Sequence, residues 1–214
     1  MDLYDYFRSS ASYRVRIGLN LKGIAPERHF IHLTRDGGEQ FGKDFSRLNP
    51  QQLVPVLVDD GNAINQSLAI LEYLDETHPE PPFLPATPAE RARVRSLSLI
   101  IACDIHPIDN LRVLFYLRDV LGQEEEARNT WYRHWVAKGL EALEAALAGS
   151  DATGTFCHGD TPGLADICLV PQIFNAKRFD CLLDGYPTVM RIFDTCMAHP
   201  AFDAAQPAKQ PDAE

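Results

Sequence analysis

Three serines lie near the start of the chain, between a short apolar segment and a candidate helix. Ser9, Ser10 and Ser12 stand next to Arg8 in the run RSSASYR. Hydroxyls between a strand end and a helix start can donate to an anion, and the helix N-terminus adds backbone N–H groups and partial positive charge. The run itself contains no histidine or carboxylate, so a serine nucleophile lacks its usual activating base. We interpret the hydroxyls as donors to a nucleophile that binds from solution.

Length, composition and charge set broad limits on the function. The chain has 214 residues, which suits one or two domains and allows a real hydrophobic core. Hydrophobic residues make up 45% and charged residues 23%, as is ordinary for a soluble globular protein. The net charge of −10 argues against a nucleic-acid partner and against an anionic membrane surface. An anionic ligand would therefore need arginines to supply positive charge locally.

Two further observations indicate a cytoplasmic protein without a metal. No stretch approaches eighteen apolar residues, and the segment from Met1 to Phe7 lacks the features of a signal peptide. The five cysteines are odd in number and form no CxxC pair, which indicates reduced thiols in a cytoplasmic compartment. Cys103 and His106 form the only tight Cys/His pairing. A zinc site would need two more ligands nearby, so we expect no metal.

The first eighty residues are predicted to form a mixed unit of strands and helices. The apolar pattern predicts strands at Leu3–Phe7, Glu27–Leu33, Val54–Val58 and Asn62–Asn65, and a helix at Leu68–Leu74. For the segment from Ser12 to Gly23, the pattern does not decide between a strand and a helix. Its apolar residues alternate with polar or small ones, as in a strand, whereas their spacing on a helical wheel and the Lys22-Gly23 ending favour a helix.

A proline-rich stretch divides the chain. Five prolines fall among the eleven residues 78–88, so we predict domains at 1–80 and 88–203 joined by a linker at 79–87. Thr87, Pro88 and Glu90 form a strong helix start, and Pro107 should kink or end that helix. Helical spacing predicts three more helices at Glu124–Leu147, Gly163–Phe179 and Pro187–His199. Residues 204–214, rich in Ala, Pro, Gln and Lys, are predicted to be a poorly packed tail.

With these residues in view, the chain resembles the zeta class of glutathione transferases, whose characteristic members are maleylacetoacetate isomerases and the related maleylpyruvate isomerases. The resemblance covers nearly the whole chain and rests on FRSSASYRVRIGLNLKG, NPQQLVPVL, NQSLAILEYL, CDIHPIDN and GDTPGLADICLVPQ. It implies the glutathione transferase fold, an α/β thioredoxin-like N-terminal domain plus an all-α C-terminal domain, and a homodimer. It also implies that Ser12–Gly23 is the first helix.

The resemblance implies a set of glutathione-binding residues. Pro55 is expected to be cis, which turns the backbone of Val54 outward to pair with the cysteine backbone of glutathione. Gln66 and Ser67 open a helix that can hold the γ-glutamyl carboxylate. The other expected contacts are Ser9, Ser10, Ala11 and Ser12 in the serine run, Gln40 in the loop after the second strand, and His106, Asn110 and Arg112 in the helical domain.

Four residues are expected to carry the catalytic work. Ser9 or Ser10 donates to the glutathione thiolate, and Ser9 is favoured because it leads the cluster. Arg178 matches an arginine that the family uses for the carboxylate of the substrate, and Arg8 is a second candidate. His106 and Arg178 also admit structural interpretations, as a core residue and as a surface ion-pair partner.

Two positions depart from the pattern of the family. Many members carry a cysteine where this chain has Ala11, so no role here rests on that thiol. Gly163 stands where glutathione transferases often place a Ser or Thr helix cap. The expected substitute is Asp166, whose carboxylate can reach back to the N–H of Gly163.

The resemblance implies glutathione-dependent cis–trans isomerisation of maleylacetoacetate to fumarylacetoacetate, a step of tyrosine and phenylalanine breakdown. The glutathione thiolate adds to the cis double bond, the resulting single bond rotates, and elimination regenerates the thiol, so glutathione acts as a cofactor. Three alternatives stay open: a maleylpyruvate isomerase of gentisate degradation, a transferase that conjugates small halogenated acids, and a non-catalytic glutathione-transferase-like binding module.

Overall fold

The computed structural model describes every residue from Met1 to Glu214, and the chain divides into two compact units. The first comprises Met1–Pro82 together with His199–Glu214, and the second comprises Phe83–Ala198. This division differs from the predicted domains mainly at the C-terminus, because residues 199–214 pack with the first unit. None of the helices combines the length and the apolar character needed to cross a membrane.

The first unit is a small mixed sheet with helices. Its elements are β1 (Asp2–Asp5), α1 (Ser10–Lys22), β2 (Glu27–Phe30), α2 (Lys43–Leu48), β3 (Val56–Asp59), β4 (Asn62–Asn65) and α3 (Ser67–Thr77). The strand order is β2-β1-β3-β4, with β1 parallel to β2 and antiparallel to β3, and β3 antiparallel to β4. Tyr6, Phe7, Phe45, Val54 and Val56 form a buried cluster. The thioredoxin-like arrangement is confirmed; the predicted β2 was too long, and α2 was not predicted.

The segment after the serine run, for which the sequence pattern did not decide between strand and helix, is a helix. Its burial explains the ambiguous pattern. Every residue from Ser12 to Leu19 is buried, so α1 has no solvent-facing stripe along that length. A helix buried on all sides carries no amphipathic period for the sequence to reveal. Gly23 ends the helix at φ 68°, a left-handed conformation that glycine adopts without steric cost.

The second unit is all-helical. Its helices are α4 (Pro88–Leu99), a π-helical turn (Ile100–Ile105), α5 (Leu111–Asp119), α6 (Glu125–Ala148), α7 (Leu164–Arg178) and α8 (Pro187–Met197). The predicted capping box is confirmed, since Thr87 Oγ1 accepts from the Glu90 N–H at 3.3 Å and the Glu90 carboxylate accepts from the Thr87 N–H at 3.4 Å. The π-helical turn that continues α4 ends at Ile105, just before Pro107, where the helix was predicted to kink or end, whereas α5 was not predicted.

Asp166 caps α7 in the predicted way. Its Oδ2 accepts from the Gly163 N–H at 2.9 Å, and its Oδ1 accepts from the Cys157 N–H at the same distance. Burial raises the pKa of this carboxyl, and the two backbone donors oppose that rise. The missing Ser or Thr hydroxyl at Gly163 is therefore replaced by a buried carboxylate that serves two backbone groups.

The prediction of a poorly packed tail is wrong. The short helix α9 (Pro200–Ala204) and the residues after it lie against the first unit, with Phe202 fully buried. Asn20 donates to the Ala201 carbonyl at 2.9 Å, and Arg16 Nε donates to the Ala205 carbonyl at 3.0 Å. The composition of this segment did not reveal its packing, because the residues that it bonds lie 181 and 189 positions earlier in the chain.

Candidate active site

The serine run surrounds the start of α1. Ser9 is the N-cap, and its Oγ accepts from the Ser12 N–H at 3.2 Å, which leaves the hydroxyl hydrogen available for a second partner. Ser9 is half-buried, whereas the side chains of Ser10 and Ser12 are buried. Ser12 contributes its backbone N–H to this arrangement, as the donor to Ser9 Oγ. The hydroxyl best placed to meet a ligand is therefore that of Ser9.

The start of α3 is a second group of open donors in the same unit. Gln66 precedes the helix at φ 68°, a strained conformation for a non-glycine residue, and no side chain caps the helix. Ile70 is the first residue whose N–H bonds back to the Gln66 carbonyl, at 3.0 Å. The N–H groups of the first turn, beginning at Ser67, therefore point out of the helix end without an acidic residue beside them.

Arg14 links the starts of these two helices, and its place in the site was not predicted from the sequence. Its side chain is only 2% exposed, and its Nη1 donates to Ser67 Oγ at 3.3 Å. The sequence signal for this role was its position between Tyr13 and Val15. The helix there is buried, and a buried charged side chain requires a specific partner. The serine run and the Gln66-Ser67 pair are thus joined through one buried guanidinium.

The segment before β3 leaves peptide groups free. The Val54–Pro55 bond is cis, as expected. Val54 lies just outside the strand, and its N–H and carbonyl make no hydrogen bond within the chain. A free donor and acceptor on one residue can pair with an extended peptide as an added strand would.

Gln40 lies in the loop after β2 and is buried. Its Nε2 donates to the Leu33 carbonyl at 3.3 Å, while its buried Oε1 has no hydrogen-bond partner. Gly38 approaches the amide so closely that a Cβ there would lie 2.6 Å from Nε2, and its φ of 108° also favours glycine. The loop therefore holds Gln40 in one place.

Four predicted site residues lie in the second unit. His106 follows the π-helical turn, a feature that is frequent at functional sites. Asn110 is the N-cap of α5, with its Oδ1 accepting from the Arg112 N–H at 3.1 Å, and the Arg112 side chain is exposed. Arg178 is the exposed last residue of α7, with its guanidinium carbon 5.4 Å from the centre of the Phe179 ring. Asn110 thus has a structural task of its own.

The thiols of the protein are remote from the serine run in the chain, because all five cysteines belong to the second unit. Cys157, Cys168 and Cys196 are buried. Burial raises the pKa of the Cys157 and Cys196 thiols, and it raises the pKa of Cys181 to about 11. The first unit holds no thiol, so the residues around Ser9 in that unit include no cysteine of their own.

The features of the first unit and those of the second each match a known sequence family. Residues 8–77 match the N-terminal domain of glutathione S-transferases, and residues 125–195 match the C-terminal domain. The chain belongs to the glutathione S-transferase family, in its zeta class. The predicted glutathione transferase fold is thereby confirmed.

This zeta-class glutathione transferase is similar along its whole length to proteins with related names. A probable maleylacetoacetate isomerase of Vibrio cholerae is 52% identical over 99% of this chain and 97% of its own length. A holo structure of a bacterial maleylpyruvate isomerase of the zeta class is 45% identical, with a TM-score of 0.97 and full coverage of both chains. A maleylacetoacetate isomerase of Methylobacterium extorquens AM1, solved with bound malonate and GSH, is 43% identical, with a TM-score of 0.96 and full coverage of both chains.

One titratable group beside the predicted residues of this transferase has no partner. Asp109 is 6% exposed, and neither carboxylate oxygen has a hydrogen-bond partner. Burial raises its pKa to about 8. Once ionised above that pH, its negative charge also contributes to the raised pKa values of Tyr132 and Cys181, behind burial as the main cause. Asp109 therefore keeps its proton in the folded protein at neutral pH.

We predict that Asp109→Asn stabilises the protein at neutral and higher pH. The unfolded carboxyl ionises near pH 4 and the folded one near pH 8, so the wild-type free energy of unfolding falls between these values as pH rises. Asparagine does not titrate, and the variant should gain up to about 4 kcal/mol at pH 7 but little at pH 4. Urea unfolding at several pH values measures this difference. Asp104→Asn, an exposed carboxyl nearby, is the control, and equal pH dependence of wild type and Asp109→Asn would contradict the prediction.

Proposed function

We propose that this chain is a glutathione-dependent cis–trans isomerase that converts maleylacetoacetate to fumarylacetoacetate in tyrosine and phenylalanine catabolism. The observation that carries the proposal is the N-cap hydroxyl of Ser9, available at a helix start in a unit without any thiol. Similarity at 43–52% identity to proteins named maleylacetoacetate isomerase supports the substrate class. The enzyme works in the cytoplasm as a homodimer, for which the five free cysteines and the family give support.

The residues of the first unit fit glutathione part by part. The uncapped first turn of α3, with Ser67, suits the γ-glutamyl carboxylate, because N–H groups and the helix dipole favour an anion. The free peptide groups of Val54 suit the cysteine backbone. The open Oε1 of Gln40 can accept from the N–H of the glycine residue, and the Ser9 hydroxyl suits the sulfur. Polar groups left open in this way match the three polar regions of an extended tripeptide.

A hydrogen bond from the Ser9 hydroxyl is strong enough to keep the sulfur of bound glutathione ionised. A thiol with a pKa of about 8.5 is about 3% thiolate at pH 7. Lowering that pKa by two units corresponds to about 2.7 kcal/mol. A hydrogen bond to a charged acceptor contributes about 1.5–3 kcal/mol, and the N-terminus of α1 adds about 0.5 kcal/mol. One hydroxyl at this helix start therefore covers the requirement.

The chemistry divides between the ligand and the chain. Bound glutathione supplies a thiolate that adds reversibly to the cis double bond of the maleyl group, which allows rotation about that bond. Ser9 holds the sulfur in its ionised form, and arginine side chains bind the oxygens of the dianionic substrate. Arg8 and Arg178 are the proposed arginines, because a guanidinium binds a carboxylate through two parallel hydrogen bonds.

A second substrate and two other functions remain as alternatives to be tested together. The 45% identical zeta-class structure is named a maleylpyruvate isomerase, which favours the shorter diacid as the leading alternative. Purified protein should be assayed with maleylacetoacetate and maleylpyruvate, each with and without glutathione. The substrate with the higher kcat/KM identifies the reaction. A stable thioether from a halogenated acid without isomerisation would identify a conjugating transferase, and no turnover with any substrate would identify a binding module.

We predict that Ser9→Ala raises the pKa of bound glutathione by about 1–2 units, the size of one lost hydrogen bond to a thiolate. The ultraviolet absorbance of the thiolate, titrated with pH, measures the shift. Ser10→Ala is tested beside it, because Ser10 is the second candidate donor. Ser46→Ala removes a hydroxyl that serves Gln52 in the same unit and is the control. If neither Ser9→Ala nor Ser10→Ala moves the titration, backbone groups hold the thiolate and the hydroxyl model is wrong.

We predict that Arg178→Ala weakens transition-state binding by about 2–4 kcal/mol if the bound substrate desolvates the charge pair, because the variant then leaves a buried carboxylate without its partner. Arg178→Lys should keep the charge but lose the two-pronged geometry, which raises KM and leaves glutathione affinity nearly unchanged. Steady-state kinetics and glutathione binding measure both effects. Arg118→Ala, which removes an exposed arginine paired with Asp119, is the control. Unaltered kinetics in Arg178→Ala would make Arg8 the leading carboxylate ligand.

A further inference from the structure

The turn between β1 and Ser9 is held almost entirely by side chains. The Tyr6 N–H donates to Asp5 Oδ1 at 2.6 Å. The Tyr6 carbonyl accepts from the Ser9 N–H at 3.0 Å and from Arg16 Nη1 at 3.3 Å, and the Phe7 carbonyl accepts from Arg16 Nη2 at 2.9 Å. Three of the four main-chain polar groups of Tyr6 and Phe7 are therefore bonded by residues of β1 and α1.

The fourth group reaches a different part of the chain. The Phe7 N–H donates to Asp212 Oδ2 at 2.9 Å, across 205 residues of sequence. The other carboxylate oxygen, Oδ1, is buried and has no hydrogen-bond partner. The Asp212 side chain thus makes one hydrogen bond, with the peptide N–H two residues before the N-cap serine, and its charge also acts on the buried guanidinium of Arg16. A carboxylate is a stronger acceptor than a neutral group for such an N–H.

Other contacts fix the C-terminal segment, so the position of Asp212 does not depend on its own side chain. Gln210 Nε2 donates to the Ala204 carbonyl at 3.0 Å and to the Gln206 carbonyl at 2.8 Å. Gln210 Oε1 accepts from Arg28 at 3.3 Å. We expect these contacts to hold the segment in place when the Asp212 carboxylate is removed. Comparison with Asp212→Asn, which loses the charge near Arg16 but keeps an acceptor, then separates the hydrogen bond from the charge.

We propose that Asp212 is a positioning residue for the thiolate-binding hydroxyl: by accepting from the Phe7 N–H, it fixes the turn that aims Ser9 at the sulfur of glutathione. The inference rests on the proposed function, in which Ser9 binds the thiolate. A small rotation of the Phe7 peptide is passed to Ser9 through the Tyr6 carbonyl, which bonds the Ser9 N–H. Hydrogen bonds weaken steeply with poor alignment, so this rotation would weaken the bond from the Ser9 hydroxyl to the thiolate.

Three variants isolate the contact. Asp212→Ala removes the acceptor, while Asp212→Asn keeps an oxygen that can accept from the Phe7 N–H. Glu214→Ala is the matched control, because it removes the same charge from the same segment, where Glu214 contacts Arg35 and His32. Asp212→Ala should lower kcat about three- to tenfold, the size of one hydrogen bond, and should move formation of the bound thiolate to higher pH. Asp212→Asn should recover most of both, and Glu214→Ala should match wild type.

Amide hydrogen exchange at Phe7 measures the hydrogen bond to Asp212 in the absence of glutathione. Of the three variants, only Asp212→Ala should exchange faster than wild type. Faster exchange with an unchanged thiolate titration and unchanged kcat would overturn the positioning role. Unchanged exchange would mean that the contact does not hold the turn, which also overturns it. Equal losses in Asp212→Ala and Glu214→Ala would show a general charge effect instead. A wild-type protein that forms no bound thiolate would reject the proposed function itself, whereas the outcomes above reject only the role of Asp212.

Discussion

The ion pair between Arg16 and Asp5 is the interaction on which the first unit depends. Both side chains are buried, at 2% and 0% exposure, and Nη1 lies 2.9 Å from Oδ1. Removing two charges from water costs several kcal/mol per ion, so the pair persists only when additional hydrogen bonds satisfy both groups. Arg16 finds further acceptors in Tyr6, Phe7 and Ala205. Burial lowers the pKa of its guanidinium, and the charge of Asp5 opposes that change most strongly. One desolvated cation therefore joins β1, the turn before Ser9 and the C-terminal segment.

The local parts of this arrangement could be predicted from sequence, because each depends on neighbouring residues. The helix start at Thr87, the glycine end at Gly23 and the Asp166 cap each use groups within four residues of one another. The bounds of the strands were less accurate, since pairing with distant strands decides where a strand ends. The identity of α1 needed the family resemblance, because a helix buried on every side loses the apolar period that identifies it.

The non-local parts could not be predicted. The contacts of Arg14 with Ser67, of Arg16 with Ala205, and of Phe7 with Asp212 span 53, 189 and 205 residues. Nothing in the composition of the last eleven residues distinguishes a packed segment from a disordered one. The available signal lay elsewhere, in two arginines flanked by apolar residues within one helix. Buried charges require partners, so these arginines indicated that acceptors exist in the fold without indicating where along the chain they lie.

The same network explains how a chain with a net charge of −10 can offer a site for an anion. Asp5 is the carboxylate nearest in sequence to the serine run, and both Arg16 and Arg28 bind it. Its charge is therefore offset inside the protein, and neither α1 nor α3 has an acidic residue in its first turn. The positive ends of these two helices, together with the Arg14 guanidinium that bonds Ser67, thus supply local positive charge for a ligand. In the proposed function, the neutral hydroxyl of Ser9 holds a thiolate there, without a lysine or histidine beside it.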